Sequence, residues 1–223
     1  MTKAVFYKEW IKTRRFFLLA IIVSSGFVWY AQMRLGKAFS LKGAAHLWEI
    51  LLTHDHTFYE VIKYLPLALG VMTALFQFIP EMQQKRLKLT LHLPVAQSRM
   101  TAQMLLFGTT MVVLLFAVQN LSMYLFLKRL LAGELVVHIL LTTLPWFTAG
   151  IAAYGFTAWT VLEPTWRRRI VNALVAAGFL RLLFLSDYAE AYNGVIAGLL
   201  LFAFILTGLP LISIEWFKNG VQE

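Results

Sequence analysis

The chain has 223 residues, of which 60% are hydrophobic and 14% charged, and its mean hydropathy is +0.70. A soluble domain is about 45–50% apolar and about 25% charged, and a globule this small cannot bury so large an apolar surplus. These proportions exclude a sizeable soluble domain, and the lack of cysteine excludes a disulfide framework, thiol chemistry and thiolate metal sites.

Net charge is +9, from 20 Lys+Arg against 11 Asp+Glu. A basic chain first suggests nucleic acid. Here the basic residues sit between apolar runs, so the positive-inside bias of membrane proteins accounts for them and no nucleic-acid partner is expected.

The chain opens with a stretch, residues 3–13, carrying Phe6 and Trp10 four apart, with Lys8 and Lys12 available to the other side. This pattern predicts an amphipathic helix on the membrane surface. Phe6 and Trp10 would enter the acyl boundary, and Lys8 and Lys12 would lie near headgroups. Residues 16–33 form the first expected span. The run passes through Phe27, Val28, Trp29 and Tyr30 without a small-residue cleavage pattern, so it reads as retained rather than as a signal peptide. Residues 41–52 carry Leu47, Trp48, Leu51 and Leu52 and predict a helix resting on the outer surface. His54, Asp55 and His56 follow. They are metal-ligand types, with Glu49 or Glu60 as a third donor, but a polar outer loop accounts for them better, and no metal site is expected.

Further spans are expected at residues 61–79, 104–127, 135–161, 170–185 and 195–214. The 170–185 run is short for a bilayer core of about 30 Å. Pro80 is expected to end the second span. Counting loops in alternation places 13 basic residues on one side and 7 on the other. The richer side is cytoplasmic, which puts both termini inside. The reading is an all-α integral membrane protein: six transmembrane helices in a single domain, 1–223, with an N-terminal amphipathic helix and both termini cytoplasmic.

Polar residues inside spans are candidates for function, because they are costly in lipid. Gln119 and Asn120 lie well inside the third span, where either a helix interface or a substrate path would satisfy their amides. Arg181 lies near the outer end of the fifth and would snorkel to headgroups or line the same path. Ala149 with Ala153, and Ala173 with Ala177, are small-residue pairs that permit close helix approach. There is no HExxH, no G-x-S-x-G and no G-x-x-x-x-G-K-[ST], so neither a zinc protease, a serine hydrolase nor a P-loop ATPase is signalled.

The stretch between the second and third spans, residues 80–100, is the most distinctive. It reads Pro80, Glu81, then Lys85, Arg86, Leu87, Leu89, Leu91, Leu93, Pro94, Val95 and Arg99. A lone leucine-rich segment at a membrane surface is best explained by docking on another protein. The stretch resembles the coupling loop of permease subunits of type-2 ATP-binding-cassette exporters. The segment Phe6-Tyr7-Lys8-Glu9-Trp10 resembles their amphipathic elbow helix, here residues 1–15. Lys85-Arg86 stand where many members carry Gly-Thr.

The resemblance implies a transport subunit that is not itself an enzyme. It would be half of a translocation path completed by a second permease, as homodimer or heterodimer, in the bacterial inner membrane. Separate ATPase subunits would hold ATP and Mg, and this chain would carry no cofactor. Leu91, Leu93 and Pro94 would seat in an ATPase groove, with Glu81, Lys85 and Arg86 at its rim. Two other readings share the layout: a non-catalytic accessory or immunity-type membrane protein, and a membrane-embedded enzyme acting on lipids.

Overall fold

The computed structural model describes residues 2–53, 59–83, 97–186 and 188–218. Among them there is no strand. The described residues form seven α-helices in order: α1 (Thr2–Thr53), α2 (Leu65–Gln83), α3 (Gln97–Leu130), α4 (Gly133–Leu162), α5 (Trp166–Leu182), α6 (Ile196–Leu206) and α7 (Pro210–Lys218), with a 3₁₀ turn at Glu60–Ile62 before α2.

Among the described residues, five stretches are long and apolar enough to cross a membrane: Thr2–Leu41, Glu60–Gln83, Ser98–Leu130, Gly133–Leu162 and Ile196–Ile214. Such a set is compatible with an integral membrane protein. The fifth expected span corresponds to α5, which is only 17 residues long, or about 25 Å. It begins earlier than the hydropathy suggests, at Trp166, and takes in Arg167, Arg168 and Arg169. It stops at Leu182 because the Tyr192 hydroxyl caps it: the Oη donates to the Leu182 carbonyl at 2.8 Å and accepts from the Leu185 and Ser186 amides at 3.2 Å each. The Leu182 carbonyl is one of those that a helix C-terminus leaves unmet.

Three local expectations are corrected. First, the surface helix at 3–13, the span at 16–33 and the outer helix at 41–52 are one unbroken α1 of 52 residues. No proline precedes Pro66, so nothing removes a main-chain donor or forces a bend. Second, Pro80 does not end α2, which runs to Gln83. A proline one turn from a C-terminus removes a single i→i−4 bond and leaves those of the following residues available. Third, the last expected span is interrupted. The amides of Thr207, Gly208 and Leu209 turn to the Phe204, Ile205 and Leu206 carbonyls at 3.1, 2.9 and 3.1 Å. These i→i+3 bonds tighten the chain before Pro210 opens α7.

α4 is the hub. It packs against α2, α3, α5, α6 and α7, while α1 lies across α2 and α3 on the far side. Every residue from Pro145 to Phe156 of α4 is buried. In lipid, helix association depends on van der Waals packing, and small residues allow the backbones to close in. Gly70 of α2 and Gly150 of α4 make the tightest approach. A Cβ on Gly70 would fall on the Gly150 carbonyl oxygen and lie 2.9 Å from its carbon. A Cβ on Gly150 would lie 2.5 Å from Phe116 Cζ and 2.6 Å from the Pro66 oxygen. Gly155 of α4 seats the interruption after α6 in the same way, its missing Cβ lying 3.0 Å from the Leu206 carbonyl.

Ala149 and Ala153 are fully buried on this hub, so that pair serves packing within the chain, whereas Ala173 and Ala177 lie on an exposed face of α5. Aromatic rings fill the wider gaps. Phe16 stacks on Phe76 at 4.4 Å between α1 and α2, and Phe179 of α5 meets Phe156 of α4 and Phe202 of α6 at 5.5 and 5.2 Å.

Candidate functional site

A polar cluster sits where the N-terminal part of α1 crosses the end of α2. On α1, Glu9, Lys12 and Thr13 share one face, being three and four residues apart. That face turns to the bundle: Glu9 is 0% exposed and Thr13 is buried. On α2, Gln77 and Glu81 are one turn apart and both buried, Glu81 at 0% exposure.

Lys12 joins the two helices. Its Nζ lies 2.8 Å from Glu9 Oε2 and 3.0 Å from Glu81 Oε1. Lys8 reaches the same Glu81 oxygen at 3.0 Å, with a third of its side chain in the open. Two carboxylates thus face two ammonium groups, and the charge of the cluster closes. Gln77 extends it inward: its Nε2 donates to Glu9 Oε2 at 3.1 Å and to the Met104 carbonyl of α3 at 2.8 Å. The Tyr154 hydroxyl of α4 donates to Gln77 Oε1 at 2.9 Å. Four helices therefore meet through one hydrogen-bonded chain. Gly108 of α3 makes room for it, since a Cβ there would fall on the Tyr154 hydroxyl and on Gln77 Oε1.

This arrangement differs from what the sequence predicts for several of these residues. Lys8 and Lys12 turn to Glu81 instead of headgroups. Phe6 packs edge-on against Phe107 of α3 at 5.4 Å, while Trp10 remains exposed. The two rings do not form one membrane-facing surface, because the side of α1 toward the bundle runs through Glu9 and Thr13. Glu81 is too buried to stand at the rim of a docking surface. Lys85, Arg86, Leu91, Leu93 and Pro94 lie outside the described residues, as do His54, Asp55 and His56. Among the described residues, no group of three or more His, Cys, Asp or Glu could hold a metal ion.

The candidate path residues are not brought together by a shared bond. Asn120 donates to the Phe116 carbonyl of its own helix at 2.9 Å. Arg181 is exposed at the end of α5. Gln119 is 2% exposed, and neither its Oε1 nor its Nε2 has a hydrogen-bond partner among the described residues. An unmet buried amide costs about 1–3 kcal/mol. Gln119→Leu is therefore expected to raise the thermal unfolding midpoint of the purified protein. A lower midpoint would mean that the amide is satisfied in the membrane by water or a bound molecule.

Two smaller polar groups tie other elements. At the α4–α5 turn, buried Glu163 accepts from Ser213 of α7 at 2.5 Å and from Thr165 at 3.3 Å, and Arg169 Nε donates to its main-chain carbonyl at 2.6 Å. At the other end, His138 Nδ1 lies 2.7 Å from Glu190 Oε1, and Asn193 donates to Glu190 Oε2 at 2.5 Å. Glu190 has φ 55°, a left-handed conformation that a non-glycine residue adopts at a cost. Its amide bond to Thr142 Oγ1 at 3.3 Å and these side-chain contacts hold it there.

Sequence reasoning assigns no site role to Glu9, Gln77, Tyr154 or Glu163. One signal was available: Glu9, Lys12 and Thr13 on one helical face, and Gln77 with Glu81 on another, form two short polar stripes that can meet. No protein-family model, curated protein or solved structure matches the chain.

Proposed function

We propose that the chain is a membrane-spanning permease subunit of an ATP-driven exporter, coupled through residues 80–100 to separate ATPase subunits and completed by a second permease. The observation that carries this reading is the hold on Glu81. It stands at the start of the stretch that resembles a coupling element; Lys8 and Lys12 tie it to α1, and Lys12 leads on through Glu9 and Gln77 to α3 and α4. A push on such a loop has a direct route into four helices.

On this reading Leu91, Leu93 and Pro94 are the docking residues, with Lys85 and Arg86 beside them. Glu81 is a transmission residue behind the docking surface. ATP and Mg bind the partner ATPase, and ATPase closure moves the loop. The permease changes state because ATP-bound ATPase binds one of its arrangements better than the other. Gln119, Asn120 and Arg181 remain the candidate polar points of the path.

The test is purification of the tagged chain in mild detergent, with co-purifying proteins identified by mass. A stoichiometric partner carrying a G-x-x-x-x-G-K-[ST] sequence is expected. Leu93→Asp is expected to reduce its recovery at least tenfold while membrane insertion is retained, because a carboxylate cannot be buried unpaired in an apolar groove. Recovery of the wild-type chain alone, monodisperse and intact, would overturn the proposal.

A further inference from the structure

Where α2 and α4 end and α5 begins, an open groove of about 400 Å³ runs between the three helices. Its volume falls within the roughly 300–1,000 Å³ of small-molecule clefts. Ile79, Met82, Val161, Ile170 and Ala173 give it an apolar floor, and Arg169 and Trp166 stand in its wall. Trp166 is 71% exposed, a placement suited to a membrane–water boundary, where an indole finds both apolar and polar surroundings.

The charge here is one-sided. Arg167 and Arg169 open α5, and among the described residues no carboxylate lines the groove. The nearby acids are committed elsewhere: the Glu163 side chain to Ser213 and Thr165, and Glu81 to Lys8 and Lys12. Arg169 meets the Glu163 main-chain carbonyl, which takes its Nε and leaves the Nη groups of the guanidinium fork to face other acceptors. An apolar slot at a helix-bundle end, with a guanidinium group in its wall and no carboxylate among its described lining, matches an amphiphile with an anionic head.

We propose that this groove is a binding site for an anionic phospholipid, with its phosphate on Arg169 and an acyl chain along Ile79, Met82, Ile170 and Ala173. Guanidinium forks pair well with phosphate oxygens. The lipid would wedge α5 against α2 and α4, giving this short, arginine-bearing helix a partner that its own sequence lacks. The site stands independently of the exporter reading.

The test offers the purified, delipidated chain equal amounts of phosphatidylglycerol and phosphatidylcholine in mixed micelles, with retained lipid counted by mass spectrometry. Phosphatidylglycerol is expected to be enriched. Arg169→Gln should lower the enrichment about fivefold, the worth of one basic residue near an anionic surface. Ala173→Phe fills the slot without altering charge and is expected to lower retention of the lipid severalfold. Because Arg169→Gln also gives up the Glu163 carbonyl bond and can fail to fold, the exposed position Ala173 carries the test by itself. Equal retention of the two lipids by the wild type, or enrichment that survives Ala173→Phe, would overturn the proposal, as would an equal loss from Arg167→Gln, since Arg167 lies off the groove and its loss would report diffuse surface charge. So would a dimer lost in Ala173→Phe with lipid retention unchanged, which would make the groove a contact between copies of this chain.

Discussion

Lys12→Met is expected to destabilise the chain more than any other single change to its polar groups. Lys12 is the cation shared by two carboxylates at 0% exposure, Glu9 and Glu81. Glu81 would keep Lys8, but Glu9 would keep only the Gln77 amide. Removing one partner of a buried pair costs about 3–5 kcal/mol, because the other charge stays buried and uncompensated. For a chain of this length that is a fall of very roughly 6–20 °C in unfolding midpoint. Lys12→Met combined with Glu9→Gln is expected to recover most of the loss, since the amide can stay bonded without carrying a charge. Thermal unfolding of the two single variants and the double variant in one detergent gives the coupling energy directly. Additive losses would mean that Lys12 and Glu9 act independently, contrary to the geometry.

Gly70→Ala is expected to have an effect of similar size through a different cause. The added methyl would fall on the Gly150 carbonyl, with the Tyr154 amide nitrogen at 3.2 Å. These are backbone atoms of the hub helix and cannot rotate aside, so α2 and α4 must separate along their length. Overpacking a core costs about 1–3 kcal/mol and occasionally more, and this site lies at the upper end because no side chain can yield. Separation would also pull Gln77 and Tyr154 apart. Gly178→Ala supplies the control, since nothing lies within 4 Å of a Cβ there. It is expected to be neutral or to add about 0.5–1 kcal/mol, as alanine does over glycine within a helix. A Gly70→Ala protein as stable as Gly178→Ala would refute the close approach.

The helices were legible because runs of apolar residues about 20 long have few alternatives. Their ends were less so. Hydropathy does not see the Tyr192 cap on α5 or the i→i+3 turn before Pro210, because both depend on a few hydrogen bonds and not on composition. Fusion of three expected elements into α1 shows the same limit in reverse. Changes in polarity along 2–53 suggested boundaries, yet a change in polarity alone does not end a helix whose main-chain donors are all present.

The polar cluster was half legible. Glu81, Lys8 and Lys12 drew attention singly, each through a role directed outward. What joined them was the crossing of two stripes on helices 69 residues apart in sequence, which no local pattern encodes. Tyr154 was hidden for another reason. It lies among alanines and glycines whose evident purpose is close packing, and its hydroxyl matters only because Gly108 leaves a gap beside it.

The length of α1 has a mechanical consequence. Its 52 residues make a rod of about 78 Å, more than twice the thickness of a bilayer's hydrocarbon core. Such a rod converts a small rotation into opposite displacements at its two ends. A tilt of roughly 10° about its midpoint would carry each end about 7 Å, given the helical rise per residue. The cluster of Lys8, Glu9 and Lys12 grips this rod close to one tip, where a given force has the longest arm. A movement of Glu81 that tilted the rod about its midpoint would be returned, reversed in direction, at its other tip.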